Sequence, residues 1–242
     1  MLSSLNKSIV SWIDKTFYPK HESFWDDKML RQTVLPYVNK ETVMLDAGAG
    51  RGILPEMNFK GLAKEVHGVD PVEEVKTNPF LDKGYVGLAD DMPFFEDNKF
   101  DLIVSDNVLE HVDNPDKFFA EISRVMKSGG IFIAKTPNKY HYMPLFATIT
   151  PLWFHKFYNK LKGRDYEDTF PTRYKANTKK DQTHYGKKYN LEVEKMQFIE
   201  GRPEYLRILF PFYFFGIVYE KLVNILGLEQ LKIVMITVME KK

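Results

Sequence analysis

The residues of this chain best suited to chemistry stand together at Asp46-Ala47-Gly48-Ala49-Gly50-Arg51-Gly52. Glycine has no Cβ and accepts left-handed backbone angles. Glycines at 48, 50 and 52 therefore let the chain turn tightly and bring its peptide groups against a ligand. A short apolar strand, Thr42 to Asp46, runs straight into the turn, and the pattern predicts a helix after it with Pro55 in the first turn. Such a strand–turn–helix at the carboxyl edge of a sheet suits a nucleotide-like ligand. Asp70 ends a second strand, Glu65 to Asp70, 18 residues past Gly52. A carboxylate there can accept hydrogen bonds from both ribose hydroxyls. The spacing is G-x-G-x-G, and Ile53 stands where a dinucleotide fingerprint has its third glycine. A glycine turn with a later acid also occurs as a purely structural βα loop, so these residues alone leave both readings open.

The elements that must position this turn are legible as alternating strands and helices. Gly84 to Leu88, Phe100 to Asp106 and Gly130 to Lys135 read as a third, fourth and fifth strand. Asn114-Pro115 opens a helix as cap and first residue, and Phe118, Phe119, Ile122, Val125 and Met126 give it one apolar stripe. Gly129-Gly130 ends it. Ahead of the sheet, Leu5, Ile9, Trp12, Ile13 and Phe17 have helical spacing, and a second helix is expected from about Ser23 to Leu35. Leu191 to Phe198 and Lys232 to Met239 read as two last strands. The alternation implies a mostly parallel α/β sheet with an antiparallel edge and helices on both faces.

Composition narrows the chemistry. The chain has 242 residues, a formal net charge of +1 and no cysteine. Disulfides, thiolate metal sites, iron–sulfur clusters and cysteine nucleophiles are all excluded. There is no basic field or tail to hold nucleic acid. The first residues lack the apolar run of a signal peptide, and the cytoplasm is the expected location. The longest apolar run, Ile208 to Tyr219, is interrupted by Pro211 and Gly216 and is too short to span a bilayer.

VMLDAGAGRG (43–52), GVDP (68–71) and the stretch from Ala89 to Asn138 resemble, in order, the motifs of the class I methyltransferase family, most of all its small-molecule branch. The resemblance is dense over residues 40–138. It implies a Rossmann-like sheet and S-adenosylmethionine as cofactor. By the same resemblance Asp46, Ala47, Gly48 and Gly50 would lie beside the methionine part of the cofactor. Asp70, followed by Pro71, would hold the ribose, and the Ala89 backbone and Asp90 would face the adenine. The backbone from Ser105 to Asn107 would line the methionine side. Many relatives carry G-D-A where this chain has Gly87-Leu88-Ala89, which leaves Asp90 or Asp91 as the substitute acid. Relatives that bind a divalent metal do so through E-x-x-E-H. Here Asn107 replaces the first acid, and no metal is expected.

A hydroxyl acceptor benefits from a nearby base, and His111, in LEHV past the fourth strand, is the candidate; packing within its loop is the competing role. His141, His155 and His184 lack ligand spacing and read as surface or loop residues. Tyr158 and Lys162 have the Y-x-x-x-K spacing of short-chain dehydrogenases by chance. The chain is read as a single domain over 1–242: N-terminal helices to 40, a cofactor-binding core over 41–138, an insert or lid over 139–185, and C-terminal strands with an aromatic helical segment over 186–242. The aromatic insert would meet the acceptor, and Arg173 and Lys175 beside Tyr174 would either face an anionic group on it or stand as solvated loop charges. EDTFPTRYKANT (167–178) resembles a sub-branch associated with bacterial surface glycans and glycolipids, so a small-molecule, glycan or glycolipid acceptor is expected. Residues 205–228 are aromatic-rich, and either burial or peripheral membrane contact would account for them. Two other functions compete. A nicotinamide-dependent oxidoreductase conflicts with the G-x-G-x-G spacing, and a silent cofactor-binding module would keep Asp46, the glycines and Asp70 without turnover.

Overall fold

The computed structural model describes residues 4–21, 25–149 and 171–242. Trp153, Phe154, His155, Phe157, Tyr158 and Lys162, read above as parts of the insert, lie outside the described residues. Two compact units are distinguishable, each with its own apolar cluster. The first takes in α1 (Ser4–Phe17), α4 (Tyr142–Ile149) and residues 198–233, including α6 (Phe210–Ile225). The second takes in residues 26–137, 171–197 and 234–242, carries the sheet and includes α5 (Lys179–Lys188).

Seven strands form that sheet: β1 (Val43–Ala47), β2 (Glu65–Asp70), β3 (Lys83–Val86), β4 (Phe100–Asp106), β5 (Met126–Pro137), β6 (Leu191–Ile199) and β7 (Val234–Lys241). Their order is β3-β2-β1-β4-β5-β7-β6. β1 to β5 pair in parallel, and β7 runs antiparallel to β5. Parallel pairing turns every carboxyl end the same way, so Asp46, Asp70 and Asp106 share one edge. The order reverses at β1, between β2 and β4, and that crevice is where open sheets of this class take ligands.

Register assigns the two faces. Leu45, Ile103 and Phe132 align on one face, beneath α3 (Pro115–Val125) with its buried Phe118, Phe119 and Ile122. The Asn114 side chain accepts the Lys117 N–H at 3.2 Å and caps α3. Asp46, Val104 and Ile133 align on the opposite face, with Asp106 and Lys135 two residues further along. There α2 (Trp25–Val34) meets the strand ends through Asp26 and Asp27. Helices thus cover both faces, as expected.

The helix predicted after the glycine turn does not form. Pro55–Met57 makes a single 3-10 turn, because the chain turns away at Asn58 and again at Gly61, whose φ is +79°. Arg31 of α2 stabilises this short connection. Its guanidinium donates to the Glu56 and Asn58 carbonyls at 2.7 and 2.8 Å and stacks on the Phe59 ring. The strand expected to start at Gly130 begins at Met126, so α3 ends at Val125 and runs directly into β5.

Candidate active site at the carboxyl edge of the sheet

The turn after β1 is held closed from behind. The Gly48 and Ala49 N–H groups both donate to the Val69 carbonyl, at 2.8 and 3.2 Å. Gly48 has φ +98°, and a Cβ there would stand 2.1 Å from Val108 Cγ2, so backbone and neighbour both require glycine. Gly52 is packed as tightly against Asn78. That residue, which the sequence did not single out, donates from Nδ2 to the Ala49 carbonyl at 3.0 Å. Gly50 differs: its φ is +52°, and nothing lies within 4 Å of the position a Cβ would take. The open side of the turn is therefore at Gly50.

Asp70 is fixed by this turn. One carboxylate oxygen accepts the Gly50 N–H at 2.9 Å and the other accepts the Val72 N–H at 3.1 Å. A carboxylate oxygen has two acceptor directions, so each keeps one for a ligand hydroxyl. The Asp70 carbonyl accepts the Gly87 N–H at 3.0 Å, which brings the 88–91 turn, with Ala89 and Asp90 at its corner, beside Asp70. Pro71 and Leu88 are exposed next to these anchors. Two exposed apolar residues thus neighbour the anchors of Asp70 in the chain, and exposed apolar side chains of this kind suit a planar base.

Asp46 is buried, and its Oδ1 has no hydrogen-bond partner. Burial, followed by the charges of Asp106 and Asp70, pushes its carboxyl up to about 8. The Ala47 side chain is buried in the apolar cluster, so only its backbone can serve a ligand. Ser105 is fully buried, with its Oγ unpartnered. The Asn107 N–H is committed to the Lys135 carbonyl at 2.9 Å, and the Asn107 side chain is exposed.

The loop after β4 is anchored by its buried side chains. Leu109 and Val112 are buried, and Glu110 points inward to accept the Thr136 hydroxyl at 3.0 Å. Asn177 in turn donates to the Thr136 Oγ1 at 2.6 Å, and the Glu110 carbonyl accepts the Arg173 and Tyr174 N–H groups. Burial pushes the Glu110 carboxyl up to about 7. His111 follows, three residues past the Val108 side chain that packs on Gly48. Its Nδ1 lies 3.2 Å from the Pro171 carbonyl oxygen, which can only accept. Nδ1 is therefore the donor in this contact, which orients the ring.

Sequence reading missed the ionic group beside this edge. Lys135 is completely buried and is paired with Asp27, with Asp106 at 2.9 Å and with Asp26 at 3.0 Å. Burial alone would lower the Lys135 ammonium, but Asp106, Asp26 and Asp27 outweigh it and raise its pKa. Arg173 and Lys175, read as facing either an anionic acceptor or solvent, are both paired with Asp113, at 3.4 and 2.9 Å. His141, read as a surface residue, is buried in the first unit, 3.5 Å from Glu200. Among the described residues no group of three His, Asp or Glu side chains could hold a metal ion.

Residues 45–134 match the family model described as a methyltransferase domain. These residues form a class I methyltransferase domain. Similar to it is the ubiquinone biosynthesis O-methyltransferase of Maricaulis maris, 33% identical over 104 residues, or 40% of this chain and 41% of that protein. The protein of the same name from a Bradyrhizobium species is 30% identical over 102 residues, 40% of each chain. The chain thus spans about two fifths of the length of these curated relatives. Among solved structures, the geranyl diphosphate C-methyltransferase of Streptomyces coelicolor superposes with a TM-score of 0.55 at 14% identity. That match covers 99% of this chain and 85% of the other, and at this identity it shows the fold.

S-adenosylmethionine is the cofactor of class I methyltransferases, and the site fits it on three observations. The methyltransferase turn leaves open space at Gly50, Asp70 keeps two acceptor directions, and Asp46 offers a buried oxygen without a partner. An ammonium suits that last oxygen. The pH dependence follows. The folded-state pKa of Asp46 lies above its ordinary value, so the bound proton adds stability that is complete below the usual carboxylate range and is lost as pH rises through about 8. A cationic ligand needs the ionised form. Affinity for S-adenosylhomocysteine, which carries the same amino acid tail, should increase as pH is raised towards about 8, by up to about tenfold per pH unit. Calorimetry across pH checks this, and Asp46→Asn should flatten the profile.

Proposed function

We propose that this chain transfers the methyl group of S-adenosylmethionine to an oxygen of a small organic acceptor. The observation that carries the reading is the coupling of the glycine turn to the β2 acid through the 2.9 Å Gly50–Asp70 hydrogen bond. Asp46 would take the ammonium of the methionine part and Asp70 the ribose hydroxyls. Pro71, Leu88 and the Ala89–Asp90 corner would border the adenine. A bound sulfonium supplies an electrophilic methyl group with a neutral thioether as leaving group. The protein's share is then mainly to hold the acceptor oxygen in line, at about 3–3.5 Å. His111, past β4 and oriented by its hydrogen bond to the Pro171 carbonyl, would accept the hydroxyl proton.

The relatives named for ubiquinone biosynthesis support oxygen as the methylated atom. The geranyl diphosphate C-methyltransferase of similar fold was solved with geranyl diphosphate bound, which is consistent with an isoprenoid-bearing acceptor. A sugar hydroxyl, a lipid-linked glycan and a phenol belong to the same proposal. The test is mass-spectrometric detection of S-adenosylhomocysteine and of a product heavier by one methylene in acceptor panels of these three classes. His111→Ala should lower turnover of an active acceptor by about 100-fold or more while S-adenosylhomocysteine affinity is retained. Turnover without an acceptor, or none in any panel despite tight cofactor binding, would count against O-methylation.

A further inference from the structure

The first unit carries an apolar surface that its own packing leaves open. α6 has 16 residues and is apolar nearly all round. One side, with Tyr213, Gly216, Ile217 and Val223, is buried, and Ile13 of α1 joins Tyr213 and Ile217 in its cluster. The other side exposes Phe212, Phe215, Leu222 and Ile225, with Phe215 69% and Ile225 78% accessible. The spacing of 3, 7 and 3 residues makes them one continuous stripe. On α1, Leu5 and Trp12 are also exposed, and Lys15 follows Trp12 on the same outward row. A contiguous patch of this kind marks an interaction site in a folded protein.

Charge decides the kind of partner. The acids of this helix pair are turned inward or neutralised. Asp14 accepts the Tyr213 hydroxyl at 2.6 Å and is paired with Arg202 and Arg207, and Glu220 is buried against the Tyr18 hydroxyl. Lys7, Lys15 and Lys20 are exposed and make no ion pair among the described residues. In 205–231 the only acid besides Glu220 is Glu229. An exposed apolar and aromatic stripe, in a unit that also exposes Lys7, Lys15 and Lys20, is complementary to an anionic bilayer. A second copy of the same surface would set lysines against lysines without acids to meet them. No helix of the described residues is long and apolar enough to cross a membrane, so the stripe can only lie along one.

We infer that the α1–α6 surface docks on an anionic lipid bilayer, with the Phe212–Ile225 stripe in the acyl boundary and Lys7, Lys15 and Lys20 over the headgroup phosphates. This stands independently of the methyl-transfer reading. The test is co-sedimentation of the full chain with phosphatidylcholine vesicles, with and without phosphatidylglycerol, at low and high salt. Binding should require phosphatidylglycerol and weaken with salt. The double variant Phe215→Ser, Ile225→Ser should abolish it, and Lys7→Glu with Lys15→Glu should weaken it about tenfold or more. All four side chains are exposed, so unchanged circular dichroism and melting temperature would confirm that folding is intact. Three results would overturn the inference: no sedimentation with either vesicle, binding indifferent to these substitutions, or a dimer in sedimentation velocity that Phe215→Ser dissociates. The last would make a second copy the occupant.

Discussion

Lys135→Met should lower the unfolding free energy by about 3–5 kcal/mol, measured by urea denaturation at neutral pH. The ammonium is completely buried and meets three carboxylates, from Asp26, Asp27 and Asp106. Methionine fills much of the same volume, so the loss is electrostatic. Burial already raises the pKa of Asp27 and pushes Asp106 up to about 7, with Lys135 acting against both shifts. Without the lysine, these carboxyls must bind protons or face one another uncompensated in a medium of low polarity. The deficit should therefore shrink on acidification, because protonation removes the repulsion. Combining Lys135→Met with Asp106→Asn should recover part of it. A loss under about 1 kcal/mol would mean that the group is solvated and does not tie α2 to β4 and β5.

The second large effect is expected at the glycine turn. Gly48→Ala should cut cofactor affinity by about 100-fold or more and cost about 1–3 kcal/mol of stability, since the new Cβ meets Val108 at a φ of +98°. Gly50→Ala separates ligand space from folding. Its φ of +52° lies in the left-handed region, which costs an ordinary residue about 1–2 kcal/mol, and no protein atom is near the new Cβ. Loss of binding in Gly50→Ala, with stability reduced only by that amount, would show that the open side of the turn is where the ligand passes. Calorimetry and thermal melts on the two variants check both quantities.

Contiguous features were the legible ones. The strand and glycine turn at 42–52, the acid at Asp70, the Asn114 cap and the apolar stripe of α3 each lie within a few residues, and local pattern reports them faithfully. Lys135 was opaque. It ends an apolar strand, where a lysine reads as a solvated tip, and its partner Asp27 lies 108 residues earlier. Asn78 was missed for the same reason: only the fold brings it 29 residues back to the Ala49 carbonyl. Pro55 misled because it suits the first turn of an α-helix and of a 3-10 helix alike, and the breaks that stop the helix come later, at Asn58 and Gly61. The aromatic stretch of 205–228 could not be resolved by composition, because α6 buries one row of its side chains and exposes another.

The most direct test is a calorimetric titration of the purified chain with S-adenosylhomocysteine and, separately, with NADH. One adenosyl ligand should bind per chain, at micromolar strength or tighter, while the dinucleotide produces no saturable heat. Silence towards the first, or saturable uptake of the second, would contradict a pocket shaped for a sulfonium cofactor at the β1–β2 edge.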